Sequence, residues 1–225
     1  MALYIDSAYL DDITAVAQTL PVAGVTTNPT LLLNAYQQHG QRFNANELVQ
    51  QLLQRTIGTI FMQPSMANEE EAYREAHSYI DADPERVIPK IPMNRAGVRV
   101  GQRLYAEGHY IAFTAVTTVF QAYVASQVGA KYIIPYYNRL RRSGVDPCER
   151  IANMARVISG QTPGTRILAA SIKSAAEAAE ALVSGAHDLT IPPAILLEMA
   201  NDPESDEAIA RFEQDAKNLN RIQRR

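Results

Sequence analysis

The sequence predicts a (β/α)8 barrel, and three observations carry that expectation. Eight short β-prone runs recur along the 225 residues, starting roughly 20–35 residues apart, a spacing suited to βα units. Each is followed by a stretch with helical periodicity, and the runs are apolar on both faces, as in a parallel sheet covered by helices. The turn after the first run, Ser7-Ala8-Tyr9-Leu10, has no glycine-rich phosphate loop, which speaks against an open dinucleotide-binding sheet.

In chain order, the strands are expected at Leu3–Asp6, Gly24–Thr27, Thr59–Met62, Val87–Ile91, Tyr110–Ala115, Lys131–Pro135, Arg166–Ala170 and Asp188–Ile191. Helices fit between them at Asp11–Leu20, Asn46–Arg55, Glu69–Ile80, Ala96–Glu107, Thr117–Gln127, Cys148–Ser159 and Ser174–Ser184. Asn44 or Asn46 and Ser174 supply side-chain oxygens for free N–H groups at helix starts. Gly108, Gly129 and Gly185 stand where helices should end in a left-handed residue. A final amphipathic helix, Glu204–Asn220, lies beyond the eighth unit. Packing on the barrel and gripping a neighbouring subunit are equally open for it.

The bulk composition limits the function classes. Hydrophobic residues make up 47% and charged residues 20%, as in an ordinary globular domain. A formal net charge of −3 gives no nucleic-acid footprint. The lone Cys148 excludes an internal disulfide framework and fits a reducing compartment. No stretch of about 18 apolar residues exists to span a bilayer, and the first residues do not read as a secretory signal. The expectation is one soluble cytoplasmic domain over residues 1–225, binding neither nucleic acid nor membrane.

In such a barrel, functional side chains gather at the C-terminal strand ends. Those ends offer Asp6, then Thr26, Thr27 and Asn28, then Gln63, Lys90, Thr114, then Tyr136, Asn138 and Arg139, and finally Ser171 and Lys173. Lys90 sits in the apolar run Val87-Ile88-Pro89-Lys90-Ile91-Pro92. Burying an ammonium is costly, so such a lysine is paired or gives up its proton readily, and the neutral amine attacks ketones. A lysine reaching water from the rim fits the same segment. Asp6 reads as a proton-shuttling carboxylate or as a helix cap. Thr26-Thr27-Asn28 offers neutral partners for sugar hydroxyls, or a turn entering a helix with Pro29 near its first position. Arg139, Ser171 and Lys173 suggest an anion site, the last two just before a helix. The four histidines are scattered without metal-ligand spacing, so no metal site is expected. No nucleophile-elbow pattern surrounds a serine.

Five of these segments, in order, resemble the small transaldolase family. They are Leu3-Tyr4-Ile5-Asp6-Ser7, Gly24-Val25-Thr26-Thr27-Asn28-Pro29-Thr30, the Lys90 segment, Pro135-Tyr136-Tyr137-Asn138-Arg139, and Ala169-Ala170-Ser171-Ile172-Lys173. The likeness is greatest to the fructose-6-phosphate aldolase subgroup. It implies that Lys90 forms an imine with a ketose and that Asp6 orients hydroxyls and assists proton transfer. It further implies that Asn28 and Thr26 position the sugar, and that Gln63 and Thr114 hold a water with which Tyr136 acts as acid and base. Arg139, Ser171 and Lys173 would hold the phosphate. The substrates implied are phosphorylated sugars and dihydroxyacetone-type compounds, with no cofactor. Relatives assemble as pentamers or decamers, with the last helix on a neighbour.

Within the resemblance, Gln63 and Tyr136 match the aldolases, whereas transaldolases place glutamate and phenylalanine there. The alternative is a transaldolase passing a dihydroxyacetone unit from fructose 6-phosphate or sedoheptulose 7-phosphate to an aldose phosphate. Pro89, Asn94 and Thr117-Thr118-Val119-Phe120 depart from the family pattern. A sugar-phosphate binder without catalysis is a further alternative. A deoxyribose-phosphate type of aldolase fits less well, because it carries its lysine on a later strand.

Overall fold

A computed structural model describes residues 1–160 and 164–223. Eight parallel strands close into one barrel in sequence order: β1 (Leu3–Asp6), β2 (Gly24–Thr26), β3 (Thr59–Met62), β4 (Val87–Pro92), β5 (Ala112–Val116), β6 (Tyr132–Pro135), β7 (Arg166–Ala169) and β8 (Asp188–Ile191). Closure is direct, with Leu3 of β1 opposite Leu189 of β8. Six of the strands give alternate residues to two apolar regions, and β2 and β8 place polar Thr26, Asp188 and Thr190 on the inner face, because side chains on a strand point to opposite faces in turn. Tyr4, Phe61, Ile88, Ala112, Tyr132, Ile134 and Leu168 fill the barrel interior. Their neighbours Ile5, Ile60, Val87, Ile133 and Ile167 face the helical layer. At Gly24 a Cβ would lie 1.8 Å from the Thr59 carbonyl oxygen, so a side chain there would force β2 and β3 apart.

The helical layer comprises α1 (Leu10–Thr19), α2 (Pro29–His39), α3 (Ala45–Arg55), α4 (Glu69–Ile80), α5 (Arg95–Ala106), α6 (Val119–Val128), α7 (Tyr137–Arg142), α8 (Pro147–Ile158), α9 (Ala175–Val183) and α10 (Pro193–Glu198). Capping explains several starts. Asn44 and Glu47 form a reciprocal capping box on α3, as do Thr118 and Gln121 on α6. The second box places the start of α6 two residues later than the sequence reading, because Thr117 and Thr118 are held outside the helix by the Gln121 side chain. Strand β5 begins at Ala112 and not at Tyr110, whose half-exposed ring is covered by the Lys131 ammonium.

Three helices were absent from the sequence reading. In α2, the consecutive Leu31, Leu32 and Leu33 conceal the helical period; α7 and α10 are too short to display one. The last helix, α11 (Pro203–Gln223), has no buried residue and exposes Ile209, Phe212, Leu219 and Ile222. Among the described residues, no helix is long and apolar enough to cross a membrane.

Candidate active site

The same alternation that builds the inner core builds the site. Two residues beyond Tyr4, Phe61, Ile88, Ala112 and Ile134 stand Asp6, Gln63, Lys90, Thr114 and Tyr136. All five therefore project inward at the C-terminal rim, where the aromatic filling ends. There they line a cavity of about 520 Å³, together with Asn28, Arg139, Ser171 and Lys173. Thr26, expected to position a sugar, does not line it. It lies fully buried, donating to Asp6 Oδ1 at 2.8 Å and sharing a 2.6 Å hydrogen bond with Thr190.

Lys90 is only 3% exposed, which removes the rim-snorkelling alternative. Burial pulls its pKa from 10.5 down to about 8, although the facing Asp6 charge works in the other direction. At pH 7 the neutral amine is thus roughly 300-fold more abundant than for an exposed lysine. Asp6 is perturbed reciprocally. Burial raises its pKa, against the opposing pull of Lys90, Thr26 and Lys173. It caps no helix, since Tyr9 occupies the cap position of α1. Asn28 combines both of its sequence readings: its Oδ1 accepts from Leu31 N at 2.9 Å to cap α2, Pro29 takes the first helical position, and the side chain also borders the cavity.

Across the cavity the Tyr136 hydroxyl and Thr114 Oγ1 share a 2.9 Å hydrogen bond. The Arg139 guanidinium lies over the Tyr136 ring, 4.7 Å from its centroid, so the two side chains hold one another in place. Gln63 Oε1 is buried and meets no donor among the described residues. A buried carbonyl of this kind needs a hydrogen bond from a bound molecule. Between Thr114 and Val116 the β5–β6 register shifts, and Ala115 has φ +57°. Past this bulge the faces exchange: Ala115 borders the cavity, and Val116 turns into the helical layer.

Ser171 also has a left-handed backbone, φ +61°. Such strain in a non-glycine residue persists only where its surroundings enforce it. Here Tyr137 N donates to Ala170 O and Asn138 N to Ser171 O, stitching α7 to this turn. Glu177, one turn into α9, binds it further: its carboxylate accepts from Lys173 N at 2.8 Å, Asn138 Nδ2 at 3.0 Å and Arg141 Nη1 at 3.2 Å. In the sequence Glu177 is legible only as a residue of the Ser174–Ser184 helix. That a buried carboxylate would join the Arg139 helix to the Lys173 turn had no signal in the local pattern. Asn34, on the cavity wall, was missed along with α2.

No histidine borders the cavity. The reading of the four as scattered is nonetheless corrected. His77 and His109, distant in sequence, meet at the other end of the barrel with ring centroids 5.2 Å apart.

Comparison with known proteins bears on the family and the fold. Residues 3–224 match the family model described as transaldolase/fructose-6-phosphate aldolase. Among solved structures, a mandelate oxidase variant with 2-hydroxy-phenylacetamide superposes with a TM-score of 0.60 at 14% identity, covering 88% of this chain and 66% of that one. Mandelate oxidase with (S)-2-phenylpropionate gives 0.59 at 14%, covering 89% and 67%. This chain spans about two thirds of those oxidases. At that identity the likeness concerns the barrel alone.

Proposed function

Since the chain belongs to the transaldolase/fructose-6-phosphate aldolase family, we propose that it is a class I aldolase reversibly cleaving fructose 6-phosphate through an imine on Lys90. The observation that carries this reading is the burial of Lys90 at the cavity floor, facing Asp6, with an amine that deprotonates near neutrality.

In this mechanism the neutral Lys90 amine attacks the C2 ketone, and loss of water leaves an iminium ion. Removal of the C4 hydroxyl proton breaks C3–C4, and the iminium takes up the electron pair as an enamine. Glyceraldehyde 3-phosphate departs. Protonation at C3 and hydrolysis of the regenerated iminium release dihydroxyacetone and restore Lys90. Asp6, with its raised pKa and its hydrogen bond from Thr26, orients hydroxyls and passes protons near Lys90. Thr26 acts through Asp6 and does not meet the sugar. Tyr136 and Thr114, already joined, act on a water that the Gln63 carbonyl also accepts from. Arg139, Ser171 and Lys173 receive the phosphate. A transaldolase would hold the enamine for an aldose acceptor; a neutral Gln63 beside a tyrosine hydroxyl favours hydrolysis.

The test has two arms. Borohydride reduction in the presence of fructose 6-phosphate should leave a three-carbon adduct on Lys90, located by mass spectrometry; no adduct would reduce the protein to a sugar-phosphate binder. A coupled assay should then detect free dihydroxyacetone, and transfer to erythrose 4-phosphate without release would assign the transaldolase. We further propose that α11 covers its apolar residues on a neighbouring copy in a pentamer or decamer. Truncation after Met199 should lower the assembly state measured by light scattering, and an unchanged mass would refute that role.

A further inference from the structure

At the N-terminal end of the barrel, away from the cavity, His77, Glu107 and His109 form a group whose donor atoms all lie within 4.8 Å of one another. His77 Nε2 stands 2.9 Å from Glu107 Oε2, and His109 Nε2 stands 3.8 Å from the same oxygen. Donors held about 2.0–2.2 Å from a tetrahedral ion are roughly 3.3 Å apart, and these two separations bracket that value.

Local structure explains why the three meet. His77 lies in the last turn of α4, and Glu107 ends α5. Gly108, at φ +90°, reverses the chain so that His109 N reaches Leu104 O at 3.1 Å and the imidazole folds back beside Glu107. Tyr73 donates to Glu107 Oε1 at 2.7 Å, which leaves Oε2 for the histidines. On the far side of the His77 ring, the exposed Asp81 Oδ1 stands 3.5 Å from Nδ1, a distance longer than an ordinary hydrogen bond. The nearby Arg103 charge is taken up by Glu70 at 2.8 Å and by the Tyr73 ring. All three donor side chains are partly exposed, so an ion can enter from solvent.

We propose that His77, Glu107 and His109 bind a divalent first-row transition ion, with zinc the best match to two imidazoles, one carboxylate and a fourth position open to water. The ion clasps the end of α4 to the turn leaving α5. It is remote from Lys90, so it serves cohesion and not the imine chemistry, and its test is independent of the aldolase reading.

Tag-free full-length protein, treated with EDTA and dialysed, is titrated with zinc chloride in a calorimeter. One saturable site per chain is expected, together with a raised melting temperature. His109→Gln should abolish the site. His39→Gln, whose ring stacks on Tyr9 elsewhere, should leave it intact. Independently of any variant, zinc should protect His77 and His109 of the unaltered chain from diethylpyrocarbonate, read by mass spectrometry. Absence of saturable binding, binding that survives His77→Gln with His109→Gln, or unprotected imidazoles would overturn the proposal and leave an ordinary histidine–carboxylate cluster.

Discussion

Two carboxylates on adjacent strands of this barrel meet opposite fates. Asp188, at the start of β8, is fully buried and receives the Arg166 guanidinium in a two-pronged pair, 2.7 Å from each oxygen. Asp6, at the end of β1, takes one hydrogen bond from Thr26, and its cation Lys90 acts on it through space without an ion-pair contact among the described residues. Around Asp188, the linked hydroxyls of Tyr4 and Tyr132 and the edge-on ring of Phe61 complete a filled interior. Around Asp6 the interior opens into the cavity. The lower pair is satisfied in the resting protein and holds it together. The upper pair is left short of its ideal partners, so its charges are available to a substrate.

That contrast can be broken first at Lys90. Lys90→Met should lower the cleavage rate by more than about 10⁴-fold and abolish the borohydride adduct, while circular dichroism stays unchanged. The variant also tests stability. The folded pKa of Lys90, about 8, lies below the unfolded-chain value of 10.5, so the unfolded chain binds more protons in that window, and the contribution of this group to stability rises as pH goes from about 8 to about 10.5. Lys90→Met should lose that rise in denaturant titrations. Next in size, Tyr136→Phe should slow turnover about 10³-fold yet still allow imine trapping, which separates proton transfer from covalent attachment. At the lower end, Asp188→Ala should cost about 3 kcal/mol of stability in urea, leaving Arg166 unpaired, with turnover per folded molecule unchanged. A large fall in turnover would show that the two ends are not separable. In wild type, imine formation should increase with pH along a limb centred near pH 8. The smallest effect is expected of Thr26→Val, which removes a hydrogen bond that lowers the Asp6 pKa. That pKa should move further up, shifting the acid limb of the pH–rate profile to higher pH.

Sequence legibility followed the range of the forces involved. Strand spacing and the apolar character of the runs on both faces are local, and they revealed the barrel and the strand-end positions of Asp6, Gln63, Lys90, Thr114 and Tyr136. Capping is local too: of the two asparagines the sequence offered, Asn44 caps α3 and Asn46 does not, and Ser174 caps α9 as expected. What escaped depended on partners distant in the chain. Thr26 looked like a sugar contact because its strand position is right; only its bonds to Asp6 and Thr190 show that it is spoken for. Glu177 had no reading beyond its place in the Ser174–Ser184 helix, and only the folding of Asn138 and Arg141 onto it gives it a role. The pairing of His77 with His109 requires two helix ends to be brought side by side, and spacing along the chain carries no trace of that.

The bulge at Ala115 bears on how such a barrel diversifies. Ordinary replacement at the rim exchanges one side chain for another on the same face of β5. Removal of Ala115 would restore the regular pairing with β6 and take the alanine methyl from the mouth of the cavity, while Thr114 stays opposite Ile134 and Val116, opposite Pro135, stays in the helical layer. A one-codon loss at this point therefore empties a position at the opening without turning the strand face on either side of it. Chain length, and not only residue identity, is a variable by which this opening is set.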